Sequence, residues 1–234
     1  MPEPDISNLP EPMDAFFDNR VDTYEDHMKE NRTYEAEQMQ LSYQFDETSD
    51  PVEILDLGAG TGMEIEYILR RAPNARFLCI DLSAAMLAKL CEKYTHLGDQ
   101  IETVKASYFD YDFGEGRFDY VVAASTMHHW LYADKLDLYR RIHRALKPGG
   151  RFIDHDYIVA PEQEYALLDR YLRLRESGQL RDDTAYHIDI PFSMWTERRV
   201  LREAGFRRIE TVFEYHSTQS NGSLIVAYKE TDGE

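Results

Sequence analysis

Residues 53–62 read Glu53-Ile54-Leu55-Asp56-Leu57-Gly58-Ala59-Gly60-Thr61-Gly62. A short apolar strand runs into three alternating glycines, and the stretch from about Met63 to Arg71 is predicted helical. Glycines at such a turn allow left-handed backbone angles and let a ligand approach the main chain. The free N–H groups of the following helix's first turn can receive a negative or polar ligand group. A dinucleotide fingerprint needs its third glycine three positions after the second, where this chain has Met63. A phosphate-binding loop needs Gly-Lys-Ser/Thr, which is absent. The loop therefore suits a nucleoside-type ligand, with a tight turn that binds nothing as the alternative.

Outward from the loop, Asp81 closes a second strand, 21 residues after Gly60. A carboxylate there can accept hydrogen bonds from both hydroxyls of a ribose; alternatively it caps the helix that begins at Ser83. Strands at 52–57, 76–80, 101–106, 118–123 and 151–157 alternate with helices at 63–71, 84–94 and 135–146. That alternation means βαβ units and a parallel sheet covered on both faces. A helix over 161–176 opens with Pro161, and residues 177–191 are polar and irregular. A helix over 196–204 stops at Gly205, and strands at 206–215 and 224–229 follow. Upstream, residues 1–12 are acidic with four prolines and read as a disordered tail. Residues 13–47 carry aromatic and methionine residues (Phe16, Phe17, Tyr24, Met28, Tyr34, Met39, Tyr43) at mostly helical spacings, predicting a cap of one or two amphipathic helices.

At 234 residues the chain has room for one medium α/β domain, here 48–234, with an insertion at about 161–190. The 26 Lys+Arg against 44 Asp+Glu give a formal net charge of −18, which repels polyphosphate and argues against nucleic acid as substrate. The basic cluster Arg140, Arg141, Arg144 reads as a solvated helix face. Two cysteines, Cys79 and Cys91, build neither a disulfide framework nor a four-thiolate metal site. No apolar run approaches the ~20 residues that span a bilayer, and the N-terminus has no hydrophobic stretch of a signal peptide. A cytoplasmic protein with no membrane partner is expected.

Taken together, ILDLGAGTG (54–62), LCIDLSAAML (78–87), FDYVVAASTMHHW (118–130), RALKPGGRFI (144–153) and LREAGF (201–206) resemble the class I S-adenosylmethionine-dependent methyltransferases. The resemblance covers roughly residues 50–230, with the motifs in family order. It implies a three-layer α/β/α fold with a seven-stranded sheet in the order 3-2-1-4-5-7-6, strand 7 antiparallel. It implies S-adenosyl-L-methionine as cofactor, with Gly58, Ala59 and Gly60 under its methionine part and Asp56 supporting the amino group. Asp81 matches the ribose ligand, Leu82 and Met86 lie beside the adenine, and Ser107 and Tyr108 fall at the adenine edge. Many members carry an acid where this chain has Ser107. Ala124 and Ser125 flank the methionine moiety, and Tyr24 with Arg20 can fold over the cofactor.

Methyl transfer from a sulfonium is an in-line displacement, and a base matters only when the nucleophile carries a proton at neutral pH. Candidates stand beyond the carboxyl ends of strands. His128 is preferred as base over His129, with His155 and Tyr157 as pocket residues. Strand alternation puts those two on one face of strand 5, and Asp154 and Asp156 on the other. Trp130 is read as core packing, and His187 and Asp189 lie on a lid. Two acids with a histidine at 154–156 invite a metal reading, but a hard cation wants more oxygen ligands, and no metal is expected. The segment after strand 4 is Ala-Ala-Ser-Thr, not the Asn-Pro-Pro-Tyr of relatives that methylate DNA bases. A small-molecule acceptor is expected, with oligomeric state open and a homodimer among the options. Two alternatives stand beside it: a non-catalytic protein that binds the cofactor or its demethylated product, and an enzyme doing carboxymethyl-type chemistry on the same cofactor. Extra cations facing the transferring carbon would favour the last, Arg20 being the one candidate.

Overall fold

The structure, a computed structural model, describes residues 10–31, 33–216 and 221–231. Seven strands form one sheet: β1 (Glu53–Leu57), β2 (Arg76–Asp81), β3 (Ile101–Lys105), β4 (Phe118–Ala124), β5 (Leu146–Asp156), β6 (Arg208–His216) and β7 (Asn221–Tyr228). Their order is β3-β2-β1-β4-β5-β7-β6, with β7 antiparallel to both neighbours and β1 to β5 parallel, as expected. The helices are α1 (Met13–Asp18), α2 (Tyr24–Lys29), α3 (Tyr34–Ser42), α4 (Ile65–Leu69), α5 (Ala84–Lys93), α6 (Tyr132–Ala145), α7 (Pro161–Glu176) and α8 (Met194–Ala204).

Residue parity explains the two layers. Ile54, Phe77, Cys79, Val122 and Ile153 point to one face, where they pack with Ile65, Ile68 and Leu90. Leu55, Leu78, Ile80, Val121 and Phe152 point to the other, against Leu138, Tyr139, Ile142 and Val200. Successive side chains alternate across a strand, so a strand covered on both sides must be apolar throughout. Cys79 belongs to that core, and Cys91 is exposed.

The N-terminal segment differs from its expectation. Three short helices replace one or two longer ones; α1 and α2 are clamped to α5, and α3 packs on α4. The Asp18 carboxylate accepts the Ser83 hydroxyl at 2.5 Å, Lys89 donates to the Val21 carbonyl at 2.8 Å, and Lys93 pairs with Glu25 at 3.1 Å. Of the predicted tail, residues 1–9 lie outside the described residues, while Pro12 already bridges Tyr186 and the Met13 N–H donates to the Ala185 carbonyl at 2.8 Å. The same region stacks Phe16 on His187 at 3.5 Å, so the N-terminal helices and residues 177–191 meet directly. The lid holds itself by a small cluster of Leu180, Ile188 and Ile190 with Leu167, Tyr171 and Leu174. Arg141 is not fully solvated: its guanidinium donates to the Phe109 carbonyl at 2.7 Å and lies on the Phe113 ring. No helix among the described residues is long and apolar enough to cross a membrane.

Candidate active site

The glycine loop after β1 leaves no room for a side chain at Gly58. Gly58 has φ of 68°, and a Cβ there would lie 2.4 Å from Thr126 Oγ1, in the turn after β4. The loop is tied down by the Gly58 and Ala59 N–H groups, which donate to the Ile80 carbonyl at 2.8 and 3.2 Å. At the end of β2, Asp81 Oδ2 accepts the Gly60 N–H and Oδ1 accepts the Ser83 N–H, both at 2.8 Å. Burial pushes its carboxyl up, opposed by these backbone donors. The alternative expectation, that Asp81 caps α5, is corrected: Ser83 does so, its hydroxyl oxygen accepting the Met86 N–H at 3.1 Å. Each Asp81 oxygen has one backbone donor, and a carboxylate oxygen can accept more than one.

Three cavities open around this loop. The first lies beside Asp81, with Leu82, Met86 and Tyr108 as walls and Met13 and Phe17 of α1 over it. The second lies above Gly58, Ala59 and Gly60 and reaches Glu64, Glu37 and His155. The third, about 690 Å³, lies between α1–α2 and residues 187–189, with Phe16, Thr23, His128 and Tyr157 on its walls. Tyr24 and Ser125 line all three. Ser125, just past β4, has φ of 55°, the one positive φ at a non-glycine among the described residues. A non-glycine residue held there stores strain, which structures tolerate chiefly where function over-determines the backbone.

Beneath the loop, Asp56 and Glu64 are both buried, and Asp56 Oδ2 and Glu64 Oε1 lack a hydrogen-bond donor. Burial, then each acid's proximity to the other, raises the Asp56 carboxyl well above its usual range, and burial raises Glu64. Each acid keeps one oxygen without a donor, so a cation brought to this pair would find acceptors there.

At the opposite wall, His128 Nδ1 lies 2.6 Å from Asp156 Oδ1, and His128 Nε2 lies 3.5 Å from Asp189 Oδ1. Burial works against a charged ring, but the Asp156 carboxylate, with Asp189, outweighs it and holds His128 at about 9. His129 goes the other way, held down to about 3 by burial and by His128 beside it. The Tyr157 phenol, 4.6 Å from His128 ring to ring, is pushed up to about 12 by burial and the Asp156 charge. In the ligand-free protein the neighbouring carboxylates therefore favour the charged form of the His128 ring.

The structure brings most of the predicted residues together. Asp81, Leu82, Met86 and Tyr108 share one cavity, the glycine loop and His155 another, and His128 and Tyr157 a third, with Tyr24 and Ser125 common. Asp56 lies beneath them. His155 lines the loop cavity beside Tyr157, its Nε2 3.3 Å from Glu37 of α3. Ser107 is corrected: it lines a separate cavity under the lid with Phe109, Leu131 and Tyr171, and its hydroxyl oxygen accepts the Phe109 N–H at 3.2 Å. Trp130, expected as core packing, is half-buried against the core, also lines the Asp81 cavity, and donates its indole N–H to the Tyr108 hydroxyl. Sequence reading missed Glu64, Glu37, Met13 and Phe17. Only the acidic side chain of Glu64, two residues past the glycine loop, offered a signal.

The architecture and the loop-plus-acid site define a nucleoside-binding α/β enzyme domain. A family model described as a methyltransferase domain matches residues 54–150. The chain is 26% identical over 214 residues to the carboxy-S-adenosyl-L-methionine synthase of Wolinella succinogenes, covering 85% of this chain and 88% of that protein. Its fold is similar to a putative O-methyltransferase from Nostoc punctiforme, with TM-score 0.67 and 20% identity over 95% of this chain and 63% of that one. It is likewise similar to human N-acetylserotonin methyltransferase solved with the cofactor, with TM-score 0.62 and 18% identity over 92% of this chain and 57% of that one. In the sequence of residues 54–150 and in its fold, the chain is similar to S-adenosylmethionine-dependent methyltransferases.

Proposed function

We propose that the chain transfers a methyl group from S-adenosylmethionine to a small-molecule acceptor held in the third cavity. The observation that carries this is the junction: the ribose-type, loop and third cavities converge on Tyr24 and Ser125. Asp81 would hold the ribose, Leu82, Met86 and Tyr108 the adenine, and the loop with Ser125 the methionine part. Asp56 and Glu64 would supply the acceptors that its ammonium needs. The bound cofactor supplies a methyl group already activated on sulfur. What remains for the protein is to hold the acceptor in line and exclude water, worth about 7–11 kcal/mol of barrier. His128 and Tyr157 face the acceptor, the phenol as a hydrogen-bond donor at neutral pH. His155 supports the loop side.

A cavity of about 690 Å³ lies in the range of small-molecule sites, about 300–1,000 Å³, and the net charge of −18 disfavours nucleic acid. The cap (13–47) and lid (161–190), joined through Phe16 and His187, would set acceptor specificity. A protein that only bound the cofactor would have no use for a third cavity leading to the junction. Carboxymethyl-type chemistry has a relative on its side, yet the site argues against it. Arg20 does line the third cavity, but both its terminal nitrogens donate to Glu11, at 2.9 and 3.1 Å, and its guanidinium lies 3.7 Å from the Phe16 ring centre. The other described residues lining the three cavities include neither arginine nor lysine.

Thr23 lines only the third cavity and is exposed, so Thr23→Trp fills acceptor space without touching the cofactor walls. Cofactor affinity should stay within about twofold while turnover of an acceptor found by screening falls about 10²-fold, the scale of a misplaced reacting group. Equal turnover would move the acceptor elsewhere.

A further inference from the structure

We propose that His128, His129 and Asp189 bind one first-row divalent metal ion on the inner wall of the third cavity. The three residues come from two separate places: the 3-10 turn Met127–His129 after β4, and the lid. One donor atom from each lies within 4.8 Å of the other two. Asp189 Oδ1 stands 3.5 Å from His128 Nε2 and 3.4 Å from His129 Nδ1. Those separations are long for hydrogen bonds, whose commonest N–H···O length is about 2.9–3.0 Å. They suit two ligands of one ion: donors at about 2.0–2.1 Å from a tetrahedral metal are about 3.3–3.4 Å apart.

The surroundings fit ligation as well. His128 Nδ1 lies 2.6 Å from the Asp156 carboxylate, which would keep a proton on Nδ1 once a bound ion displaces the one on Nε2, and Nε2 faces Asp189 at 3.5 Å. A carboxylate behind a ligating histidine is the usual outer support of such sites. His129 would ligate through Nδ1, which without metal lies 3.1 Å from the Ile188 carbonyl; its proton would then sit on Nε2. Both rings are buried, while the Asp189 side chain is half exposed, so the ligand set is anchored on two sides and open on the third. Two imidazoles and one carboxylate suit a first-row transition ion rather than calcium or magnesium, which prefer oxygen. Three protein ligands leave a coordination position facing the cavity. Resting on the methyltransferase reading, that position would take an acidic oxygen of the acceptor, a hydroxyl or enol, and favour loss of its proton to solvent, so that the oxygen forms the new O–C bond as the sulfonium S–C bond breaks and the demethylated cofactor leaves.

The test uses full-length protein stripped by a chelator, titrated calorimetrically with Zn²⁺ alone and followed with Co²⁺ by its visible absorption. One ion per chain is expected, with Co²⁺ bands of a four- or five-coordinate site. Asp189→Asn and His129→Asn should each weaken Zn²⁺ binding by more than about 100-fold, and Asp156→Asn by about 10–100-fold. Glu30→Gln, a carboxylate on the same cavity outside the triad, should leave the affinity unchanged. Thermal unfolding of the metal-free variants checks that each is folded. No saturable Zn²⁺ binding, or binding equal in Asp189→Asn and wild type, overturns the site. The metal-free protein is also titrated with S-adenosylmethionine: if the cofactor binds and Zn²⁺ does not, the metal site alone falls, whereas loss of cofactor binding strikes the methyltransferase reading.

Discussion

Asp81→Ala is expected to weaken S-adenosylmethionine binding by about two to four orders of magnitude, read by calorimetry. Hydrogen bonds to a charged group contribute about 1.5–3 kcal/mol each, and two ribose hydroxyls on one carboxylate give about 3–6 kcal/mol, or roughly 10²–10⁴ in affinity. The substitution also frees the Gly60 and Ser83 N–H groups that Asp81 now accepts at 2.8 Å, so the loop loses an anchor. Asp81→Asn keeps one acceptor oxygen and should fall between the two. The α5 cap belongs to Ser83, so the fold should survive, and a melting temperature close to wild type would confirm that the loss is in binding. Unchanged affinity in folded Asp81→Ala would remove this residue from the ribose role.

The largest effect on stability is expected from Lys135→Met. Lys135 and Glu197 are both buried, joining α6 to α8 through a 2.6 Å ion pair, and the Tyr139 hydroxyl donates to the other Glu197 oxygen at 2.5 Å. Burial disfavours the ammonium, but Glu197, followed by Asp154 and Asp156, holds it charged and above its ordinary range. Removing the cation leaves Glu197 facing Asp154 and Asp156 without compensation, which should cost about 3–5 kcal/mol in chemical denaturation. Lys135→Met combined with Glu197→Leu removes the unpaired charge together with its partner and should recover most of that loss. A double variant as unstable as the single one would show that packing, not the orphaned charge, sets the cost.

How far the sequence could be read depended on how local the cause was. The β1 run Ile54-Leu55 and its neighbours announced a strand buried on both faces, and Gly58 announced a backbone that no Cβ fits. Sheet order, however, followed from the resemblance rather than from any spacing. Boundaries slipped where a distant partner decides them. β5 begins at Leu146 rather than 151 because Leu146 pairs with Phe118 before the register shifts, and β7 begins at Asn221 because it pairs with His216. α8 begins at Met194 because the Ser193 hydroxyl oxygen accepts the Thr196 N–H at 3.4 Å. The cap broke into three helices because its anchors, Ser83, Lys89 and Lys93, lie on α5, some 65 to 68 residues away. For the same reason the site's electrostatics were illegible. His128 becomes a cation through Asp156, 28 residues on, and through a lid aspartate 61 residues on, neither of which periodicity can place beside it. Ser107 failed for a subtler reason: its neighbour Tyr108 takes the cavity wall, and the chain turns Ser107 toward the lid.

The most direct measurement is a calorimetric titration of the purified protein with S-adenosylmethionine, with S-adenosylhomocysteine and NADH as parallel ligands. Saturable one-to-one binding of both sulfur ligands and none of NADH is expected, since the loop carries Met63 where a dinucleotide site needs glycine. Folded protein that binds neither sulfur ligand, or that binds NADH in their place, would contradict the assignment of the Gly58–Asp81 site.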